Sequence, residues 1–323
     1  MDPLSDVLRV VRLTGGVFLD AEFTAPWCVT AQVGPEDCRP FLSAPQHLIA
    51  YHCVVEGCLL LQTNGTTPAE VRAGEIVLLP RNDAHRIGSS LDAKAIKADD
   101  LIQPPQNGGL ARIVHGGGGE RTRIVCGFLG CETPFNPLVA TLPRVMKLNM
   151  RAAASGQWIE SSFQFAASEV SADRMGSATV LSKLSELLFV EAVRRYVAEL
   201  PTEQRGWLAG LRDPIVGRAL ALLHARHGEP WTAEQLAQEV GLSRSAFAER
   251  FTSLIGQPSM QYLALWRMQL AAHHLRENTA PIAKIAFEVG YESEAAFNRA
   301  FKRQFGVPPA TWRKGASRFQ TSR

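Results

Sequence analysis

Two segments near the carboxyl end of the chain carry side chains, at spacings of three and four residues, that a helix would present on one face. They are Arg244, Ser245, Ala248 and Glu249 in the first segment, and Ser293, Glu294, Ala295, Asn298 and Arg299 in the second. Arginine binds guanine, and asparagine binds adenine, through paired hydrogen bonds in the major groove of DNA. Cations beside them suit phosphates, which position a protein on DNA without specifying sequence. These cations are Arg250, Lys302, Arg303, Arg313 and Lys314.

The two segments are copies of one repeated pattern. The first copy reads Leu236-Ala237-Gln238-Glu239-Val240-Gly241 and continues with Ser243, Phe247, Phe251, Gly256 and Pro258. The second copy reads Ile285-Ala286-Phe287-Glu288-Val289-Gly290 and continues with Ser293, Phe297, Phe301, Gly306 and Pro308. The offset is 49 residues up to the glycine and 50 residues after it. A small residue, a glycine turn, a serine cap and two phenylalanines four residues apart predict a helix-turn-helix, which holds its second helix in a major groove.

Capping signals predict the helices that must hold the two copies in place. An Asp-Pro pair starts a helix over residues 213–227, and a capping box stands at residues 232–235. A helix over about residues 260–276 bridges the copies, and Pro281 opens the second one. The carboxyl-terminal part is therefore predicted to be an all-α domain with tandem helix-turn-helix units.

Over about Asp213 to Arg313 the chain resembles the AraC/XylS family of bacterial transcription regulators. The matching residues are Trp266-Arg267, Leu270-Ala271, Ile285-Ala286, Val289-Gly290-Tyr291, Ser293, Phe297, Ala300-Phe301-Lys302, Phe305-Gly306 and Pro308-Pro309. The resemblance implies a homodimer that binds double-stranded operator DNA and works with RNA polymerase. It also implies that two second helices, about 34 Å apart, enter successive major grooves. Ala248 and Glu249 depart from the larger or basic residues often found there, so the second copy is expected to carry more of the direct readout.

Length and charge agree with a nucleic-acid-binding domain joined to a second domain. Among the 323 residues, those from Asp213 onward include 14 Lys/Arg against 9 Asp/Glu, a net charge of +5. The preceding residues carry 20 against 22, a net charge of −2. No apolar run reaches the length of about 18 residues that a membrane span needs, and we find no signal peptide, so we expect a cytoplasmic protein. There the six cysteines are expected to be thiols, metal ligands or redox sensors rather than structural disulfides.

The first half of the chain has the pattern of a β-barrel or sandwich, with short apolar runs such as Leu48 to Val55 separated by turn residues. From Trp158 the pattern is helical. The helix predicted over Ser177 to Leu200 has an apolar stripe formed by Val180, Leu184, Leu187, Leu188 and Tyr196. That stripe belongs either to a core helix or to a dimerisation helix. We predict a sensor domain at residues 1–150, a helical dimerisation or linker segment at 151–212 and a DNA-binding domain at 213–316.

Residues 1–200 resemble the cupin-type sensor domain of one branch of the same family. The matching pieces are Tyr51-His52 to Glu56-Gly57, Gly74 to Pro80, His85, Cys126-Gly127 and Leu142-Pro143. In metal-binding cupins, two histidines and a glutamate from one hairpin join a third histidine from the next. The resemblance implies His52, Glu56 and His85 as metal ligands, with Ala50 in place of the first histidine. His47, Cys126 or Cys131 would have to substitute for it, and imidazole with thiolate favours zinc.

Three interpretations of the sensor domain stay open: a metal site, a small-molecule pocket without metal, and redox sensing through Cys126 and Cys131. The two cysteines can pair only if their Cα atoms come within about 7 Å. The predicted fold class is α+β with two domains: a cupin-like β-barrel, a helical linker and an all-α tandem helix-turn-helix domain. We expect a sequence-specific DNA-binding transcription regulator without a catalytic role, which responds to an unknown small effector, a metal or a redox signal. The alternatives are a metal-dependent cupin enzyme with a DNA-binding tail and a constitutive architectural DNA binder.

Overall fold

The computed structural model describes residues 2–11, 13–38, 47–104, 110–131, 137–149, 161–162, 165, 177–201 and 203–320. The chain forms two compact units. The first, here called the β unit, consists of Leu13–Pro134 and Leu142–Ala198. The second, here called the helical unit, consists of Met1–Arg12, Phe135–Thr141 and Glu199–Arg323. The units are thus interleaved along the chain, and the domain boundaries at residues 150 and 212 stay a prediction.

The secondary structure is mainly β in the first unit and α in the second. The strands are β1 (Thr14–Thr24), β2 (Cys28–Ala31), β3 (His47–Glu56), β4 (Cys58–Thr63), β5 (Ala69–Arg72), β6 (Glu75–Leu79), β7 (His85–Gly88), β8 (Ile96–Lys97), β9 (Ala111–Gly116), β10 (Arg121–Cys131) and β11 (Met146–Asn149). The helices are α1 (Pro3–Val11), α2 (Pro137–Thr141), α3 (Ser177–Glu199), α4 (Trp207–Arg212), α5 (Pro214–Ala225), α6 (Ala233–Glu239), α7 (Arg244–Ile255), α8 (Ser259–Glu277), α9 (Ile282–Glu288), α10 (Glu294–Phe305) and α11 (Pro309–Gln320). No helix within the described residues is long and apolar enough to cross a membrane.

The β unit is built from two sheets. One has six strands in the order β11-β6-β3-β10-β1-β9, and the other has five in the order β5-β4-β7-β2-β8. The pairs β1–β9 and β2–β8 are parallel, and the other ladders are antiparallel. The predicted cupin-like β fold is therefore confirmed, although the described strands form two open sheets rather than a closed barrel.

Strand alternation sends one set of side chains into a core that both sheets share. From β3 and β10 this core takes Ala50, Val54 and Phe128, and from β4 it takes Leu59 and Leu61. The alternate residues, Tyr51 and Cys53 on β3 and Gly127 on β10, lie on the opposite face of the six-stranded sheet. The same alternation decides which polar side chains of β3 and β10 face the core.

Helix α3 packs on that opposite face of the six-stranded sheet. The hydroxyls of Tyr51 and Ser185 lie 2.6 Å apart and share a hydrogen bond, and the Ser185 hydroxyl also lies 2.8 Å from the carbonyl oxygen of Leu181. A Cβ on Gly127 would collide with the Tyr51 hydroxyl. Glycine at this position of β10 therefore leaves the space in which β3 reaches the helix.

The packed face of α3 is not the apolar stripe predicted from the sequence. Its buried residues are Leu181, Ser182, Ser185, Phe189, Ala192 and Val193. In the predicted stripe, Leu187 is 48% exposed, and the other four members are only half-buried. Because two of its buried residues are serines, the packed face does not stand out as apolar, and the pattern of apolar residues predicts the wrong side of the helix.

The predicted all-α architecture of the carboxyl-terminal part is confirmed, with α8 within one residue of its predicted bounds at each end. A buried polar cluster joins α1, α4, α5 and α8, in which Oδ2 of Asp6 from α1 lies 3.7 Å from His224 Nδ1. Trp207 Nε1 donates to Tyr262 Oη at 2.8 Å, and His224 Nε2 lies 2.7 Å from the same oxygen. The His224 ring stacks on Trp266, with the ring centroids 4.0 Å apart. Burial lowers the pKa of His224 to about 3, so its imidazole is neutral near pH 7.

Candidate nucleic-acid interface

The first helix-turn-helix unit consists of α6 and α7. Thr232 Oγ1 accepts a hydrogen bond from the backbone N–H of Gln235 at 3.1 Å, and the Gln235 side chain accepts from the backbone N–H of Thr232 at 2.9 Å. The predicted capping box is therefore confirmed. Gly241 turns the chain with a φ of +76°. Ser243 Oγ then accepts from the backbone N–H of Ala246 at 3.3 Å, which caps α7.

The second unit repeats this arrangement with α9 and α10. Gly290 makes the turn with a φ of +85°, and Ser293 Oγ accepts from the backbone N–H of Ala296 at 3.2 Å. In each unit the second helix is anchored by two fully buried phenylalanines, which are Phe247, Phe251, Phe297 and Phe301. Because these rings hold one side of α7 and of α10 in the core, the opposite side of each helix is free.

The residues predicted to contact bases lie on those free sides of α7 and α10, here called the recognition helices. Most of them are exposed: Arg244, Ser245, Ala248 and Glu249 in the first unit, and Ser293, Glu294, Ala295 and Arg299 in the second. Asn298 is half-buried. Each predicted set thus gathers on one surface at the start of its helix, as recognition of a major groove requires. Their contacts with DNA stay a prediction.

Two of the cations predicted to contact phosphates already have partners in the protein. Arg250 Nη2 lies 2.6 Å from Oδ2 of Asp213, and its Nε lies 3.1 Å from both carboxylate oxygens. The same carboxylate caps α5 by accepting two backbone N–H groups. Arg313 donates to the carbonyl oxygen of Ala280 at 2.6 Å. Both arginines therefore help to hold the helical unit together, whereas Lys302 and Arg303 are exposed on α10.

A chain of hydrogen bonds in the β unit joins three of the predicted sensor residues. His85 Nδ1 donates to the carbonyl oxygen of Asp83 at 2.9 Å, so His85 Nε2 is an acceptor. His52 Nε2 lies 2.7 Å from that atom and must donate to it, which leaves His52 Nδ1 to accept from the thiol of Cys126 at 3.0 Å. One tautomer of each ring thus satisfies every nitrogen. Burial lowers the pKa of both imidazoles and keeps them neutral.

The predicted metal set of His52, Glu56 and His85 does not come together. The Glu56 side chain is 51% exposed, and its carboxylate lies 3.3 Å from Nη1 of Arg121. His47, a predicted substitute, binds the carbonyl oxygen of Pro80 at 2.7 Å. No group of three metal-ligating side chains forms within the described residues, so the donor set does not fit a zinc centre.

A disulfide between Cys126 and Cys131, on which one of the three open interpretations depends, does not fit this structure, because both residues stand on the continuous strand β10. Five residues of strand separate their Cα atoms by about 16 Å and turn the two side chains to opposite faces, whereas a disulfide needs about 7 Å or less. Burial raises the pKa of the Cys126 thiol, which keeps it protonated as a donor to His52. The thiol is therefore part of the hydrogen-bond chain rather than half of a disulfide.

The hydrogen-bond chain borders a small cavity of about 40 Å³ in the core of the β unit. Its wall is mainly apolar and includes Leu19, Phe23, Val29, Ile87 and Ile113. The polar groups of the wall belong to His52, His85, Cys126, Gln32, Asp37 and Asp99. This cavity is the candidate sensor site, and it combines the neutral imidazoles of His52 and His85 with an apolar wall and the carboxyl side chains of Asp37 and Asp99.

Comparison with known proteins agrees with both units. Residues 2–198 match a family model described as cupin, and residues 236–315 match one described as a helix-turn-helix domain. An AraC-like transcription regulator of Streptomyces antibioticus is 31% identical over 318 residues, which cover 97% of this chain and 99% of that protein. An AraC-like regulator of Streptomyces lividans is 30% identical, with 97% and 98% covered. The transcriptional regulator AlkR of Acinetobacter baylyi is 28% identical, with 97% and 99% covered.

The chain therefore belongs to the AraC-like transcription regulators with a cupin-type amino-terminal domain. The tandem helix-turn-helix and the cupin-like sheets are the parts that define this class. The matches extend over nearly the whole length of each relative, and each relative is a transcription regulator, which agrees with the class expected from the repeat in the sequence.

Proposed function

We propose that this regulator binds double-stranded DNA with sequence specificity by placing α7 and α10 in successive major grooves. The observation that carries the proposal is that each recognition helix is anchored by two buried phenylalanines and leaves its other face exposed. Such a helix can enter a groove without giving up its own packing. The connecting helix α8 has 19 residues, a length of about 28 Å, which is comparable to the roughly 34 Å of one turn of DNA.

The two recognition helices are proposed to contribute unequally to base readout. On α10, Asn298 and Arg299 offer the two side-chain types that form paired hydrogen bonds with adenine and guanine. On α7, Ala248 and Glu249 occupy the corresponding part of the surface, and Arg244 is the cation nearest its start. Lys302 and Arg303 also add positive charge to α10. We therefore expect the DNA half-site under α10 to be the more strictly specified.

The cavity of the β unit is proposed to bind the effector. Its wall favours a mainly apolar molecule without negative charge, which packs against the chain from Cys126 through His52 to His85, because the two imidazoles are neutral and the carboxyl side chains of Asp37 and Asp99 also line the cavity. A volume of about 40 Å³ holds only a few water molecules, so a larger ligand must displace side chains of the wall. We infer binding rather than catalysis, because the nitrogen atoms of both imidazoles are already engaged in hydrogen bonds.

We further propose that the protein acts as a homodimer and contacts RNA polymerase at its promoters. The half-exposed apolar side chains Val180, Leu184, Leu187 and Leu188 of α3 supply a surface that a second copy could cover. An effector that prefers one arrangement of the dimer would then change its affinity for DNA by shifting the population of arrangements.

Selection of duplexes from a randomised library by the full-length protein tests the DNA-binding proposal. We expect two specified boxes whose centres lie about 10–10.5 base pairs apart, the distance between successive major grooves on one face of DNA. Affinity for the selected duplex should exceed that for a scrambled duplex by a factor on the order of 10³ or more at physiological salt. Equal affinity for the two duplexes would contradict sequence-specific binding.

A further inference from the structure

The loop between α5 and α6 is tied to the first helix-turn-helix unit by one arginine. Arg226 Nε and Nη2 donate to the two carboxylate oxygens of Glu229 at 2.8 and 2.7 Å. Arg226 Nη1 donates to Glu239, the last residue of α6, at 3.1 Å. The Arg226 guanidinium also lies over the ring of Trp231, 4.5 Å from its centroid. The loop therefore keeps a defined position relative to α6.

A second arginine ties the same loop to the bridging helix. Arg267 of α8 donates from Nε to the carbonyl oxygen of His227 at 2.7 Å and from Nη2 to that of Glu229 at 2.6 Å. Two donors of one planar guanidinium thus hold two backbone carbonyls of the loop, a geometry that a lysine ammonium does not reproduce. The Arg267 side chain is half-buried, and both of these hydrogen-bond partners are neutral carbonyls.

The other side of this guanidinium is covered by the turn of the second helix-turn-helix unit. A Cβ built on Gly290 would lie 2.7 Å from Arg267 Nη2 and 2.9 Å from the carbonyl oxygen of Gly228. A Cβ on Gly228 would in turn lie 3.2 Å from the carbonyl oxygen of Glu288. The turn of the second unit is therefore pressed against both the loop and Arg267. The corresponding turn of the first unit, at Gly241, has nothing within 4 Å of its virtual Cβ.

We propose that Arg267 is a positioning residue that fixes the relative pose of the two recognition helices and so sets the spacing of the DNA boxes that the protein accepts. Its guanidinium connects a loop held to α6 with the turn that precedes α10, in addition to the covalent link through α8. Rotation of one unit against the other would break both hydrogen bonds to the loop or drive the turn into the guanidinium. This role rests on the proposed function, because a spacing has meaning only if both helices read one duplex.

Binding to duplexes with altered spacing tests this role. The probes are the selected duplex and two derivatives with one base pair added or removed between its boxes, which shifts one box by about 3.4 Å along the axis and turns it by about 35°. For the unaltered protein we expect each change to weaken binding tenfold to a hundredfold, on the order of the loss of one good base contact. For Arg267→Ala we expect weaker binding to the original duplex and a spacing penalty of about threefold or less, because an unlocked unit can follow the displaced groove.

Two matched variants distinguish positioning from simple loss of charge or stability. Arg218→Ala removes the same charge from an exposed position on α5 and should keep the full spacing penalty. Arg267→Lys keeps the charge but loses the two-point contact, so it should reduce the penalty as the alanine does, and it serves as the test if Arg267→Ala does not fold. A full spacing penalty in both Arg267 variants would overturn the positioning role while leaving sequence-specific binding intact. Failure of the unaltered protein to prefer the selected duplex would instead contradict the proposed function.

Discussion

At the residue scale, the two recognition helices differ in the side chains they can offer to a base pair. Arg299 stands exposed on α10, beside the half-buried Asn298. On α7 the same part of the surface carries Ala248 and Glu249, which form fewer hydrogen bonds with base edges. A single substitution on α10 should therefore affect sequence preference more than one on α7.

We predict that Arg299→Ala weakens binding to the selected duplex by about 1–3 kcal/mol and relaxes the preference at one base pair, because it removes one candidate base contact. Competition binding gives the affinity, and repeated selection with the variant gives the preference. Arg250→Ala is the matched control, since Arg250 is engaged with Asp213. The control should lower the thermal stability of the helical unit and leave the selected sequence unchanged. An unchanged sequence with Arg299→Ala would show that this side chain does not read a base.

His224 gives the helical unit a dependence on pH. Its pKa is about 3 in the folded chain because of burial, compared with about 6.5 for an ordinary histidine. Below about pH 6.5 the unfolded chain binds a proton that the folded chain excludes, so the free energy of unfolding falls as the pH decreases from 6.5 towards 3. This group should remove about 2 kcal/mol of stability between pH 6.5 and pH 5, at roughly 1.4 kcal/mol per pH unit. Above about pH 7.5 the imidazole is neutral in both the folded and the unfolded chain, so it should have no effect.

The variant His224→Gln should remove this part of the pH dependence, because an amide can still bond to Tyr262 but does not titrate in this range. Urea unfolding followed by tryptophan fluorescence at pH 5 and pH 7 measures the difference. Four of the six tryptophans belong to the helical unit, so the signal reports mainly on it. The parent chain, unfolded at the same two pH values, is the control. Parallel slopes for His224→Gln and the parent would contradict the assignment.

The sequence predicts the residues whose role depends on residue type and local spacing, but it does not predict those whose role depends on partners distant in the chain. The caps Thr232, Ser243 and Ser293 were predictable because each bonds within one turn of its own helix. Arg267 was visible only as part of the family resemblance, since its carbonyl partners lie about 40 residues away in the chain. Glu56 does not join His52 for the same reason, because its carboxylate lies beside Arg121, a partner 65 residues further along the chain.

At the scale of elements, the two turns of the repeat are similar in backbone and different in surroundings. Gly241 and Gly290 both have positive φ, but only Gly290 is packed against a side chain and a carbonyl of the neighbouring loop. The turn at Gly290 is therefore packed against its neighbours, whereas a Cβ at Gly241 would have no atom within 4 Å. Alanine at Gly241 and alanine at Gly290 should therefore cause nearly the same backbone strain but make different contacts with neighbouring atoms.

We predict that Gly290→Ala destabilises the helical unit more than Gly241→Ala does. The left-handed backbone should cost about 1–2 kcal/mol in each variant. At Gly290 the clash with Arg267 and Gly228 should add roughly 1–3 kcal/mol, the usual effect of inserting a methyl group into packed surroundings. Chemical unfolding of both variants under one condition measures the difference. Equal losses of stability in the two variants would show that Arg267 and Gly228 move aside without strain.

Element types were predictable over most of the chain, whereas faces and sheet closure were not. Capping residues and turn glycines mark helix ends locally, which is why α8 was predicted to within one residue. The sheet-facing side of α3 was missed because Ser182 and Ser185 are buried there. A serine that bonds to its own helix or to Tyr51 can occupy a core face, and apolar periodicity does not register it.

At the scale of the whole molecule, the half-exposed stripe of α3 is the surface on which the proposed dimer depends. We predict that Leu187→Lys shifts the protein from dimer to monomer with little change in thermal stability, because this side chain is already 48% exposed in the single chain. Sedimentation velocity over a range of concentrations measures the shift. Ala198→Lys adds the same charge at another exposed position of α3 and should leave the dimer intact. A dimer that withstands Leu187→Lys would place the interface elsewhere.

The placement of α1 limits how the two units can be exchanged between proteins. Val7 and Val10 of α1 are buried, and the helix packs on α5 and α8 although about 200 residues of chain separate them. A hybrid regulator made by joining a foreign sensor at residue 199 would therefore lack part of the hydrophobic core of its own DNA-binding half. A transplant should succeed better when residues 2–11 travel with residues 199–320. Gene fusions made from this chain are thus constrained at two points rather than at one.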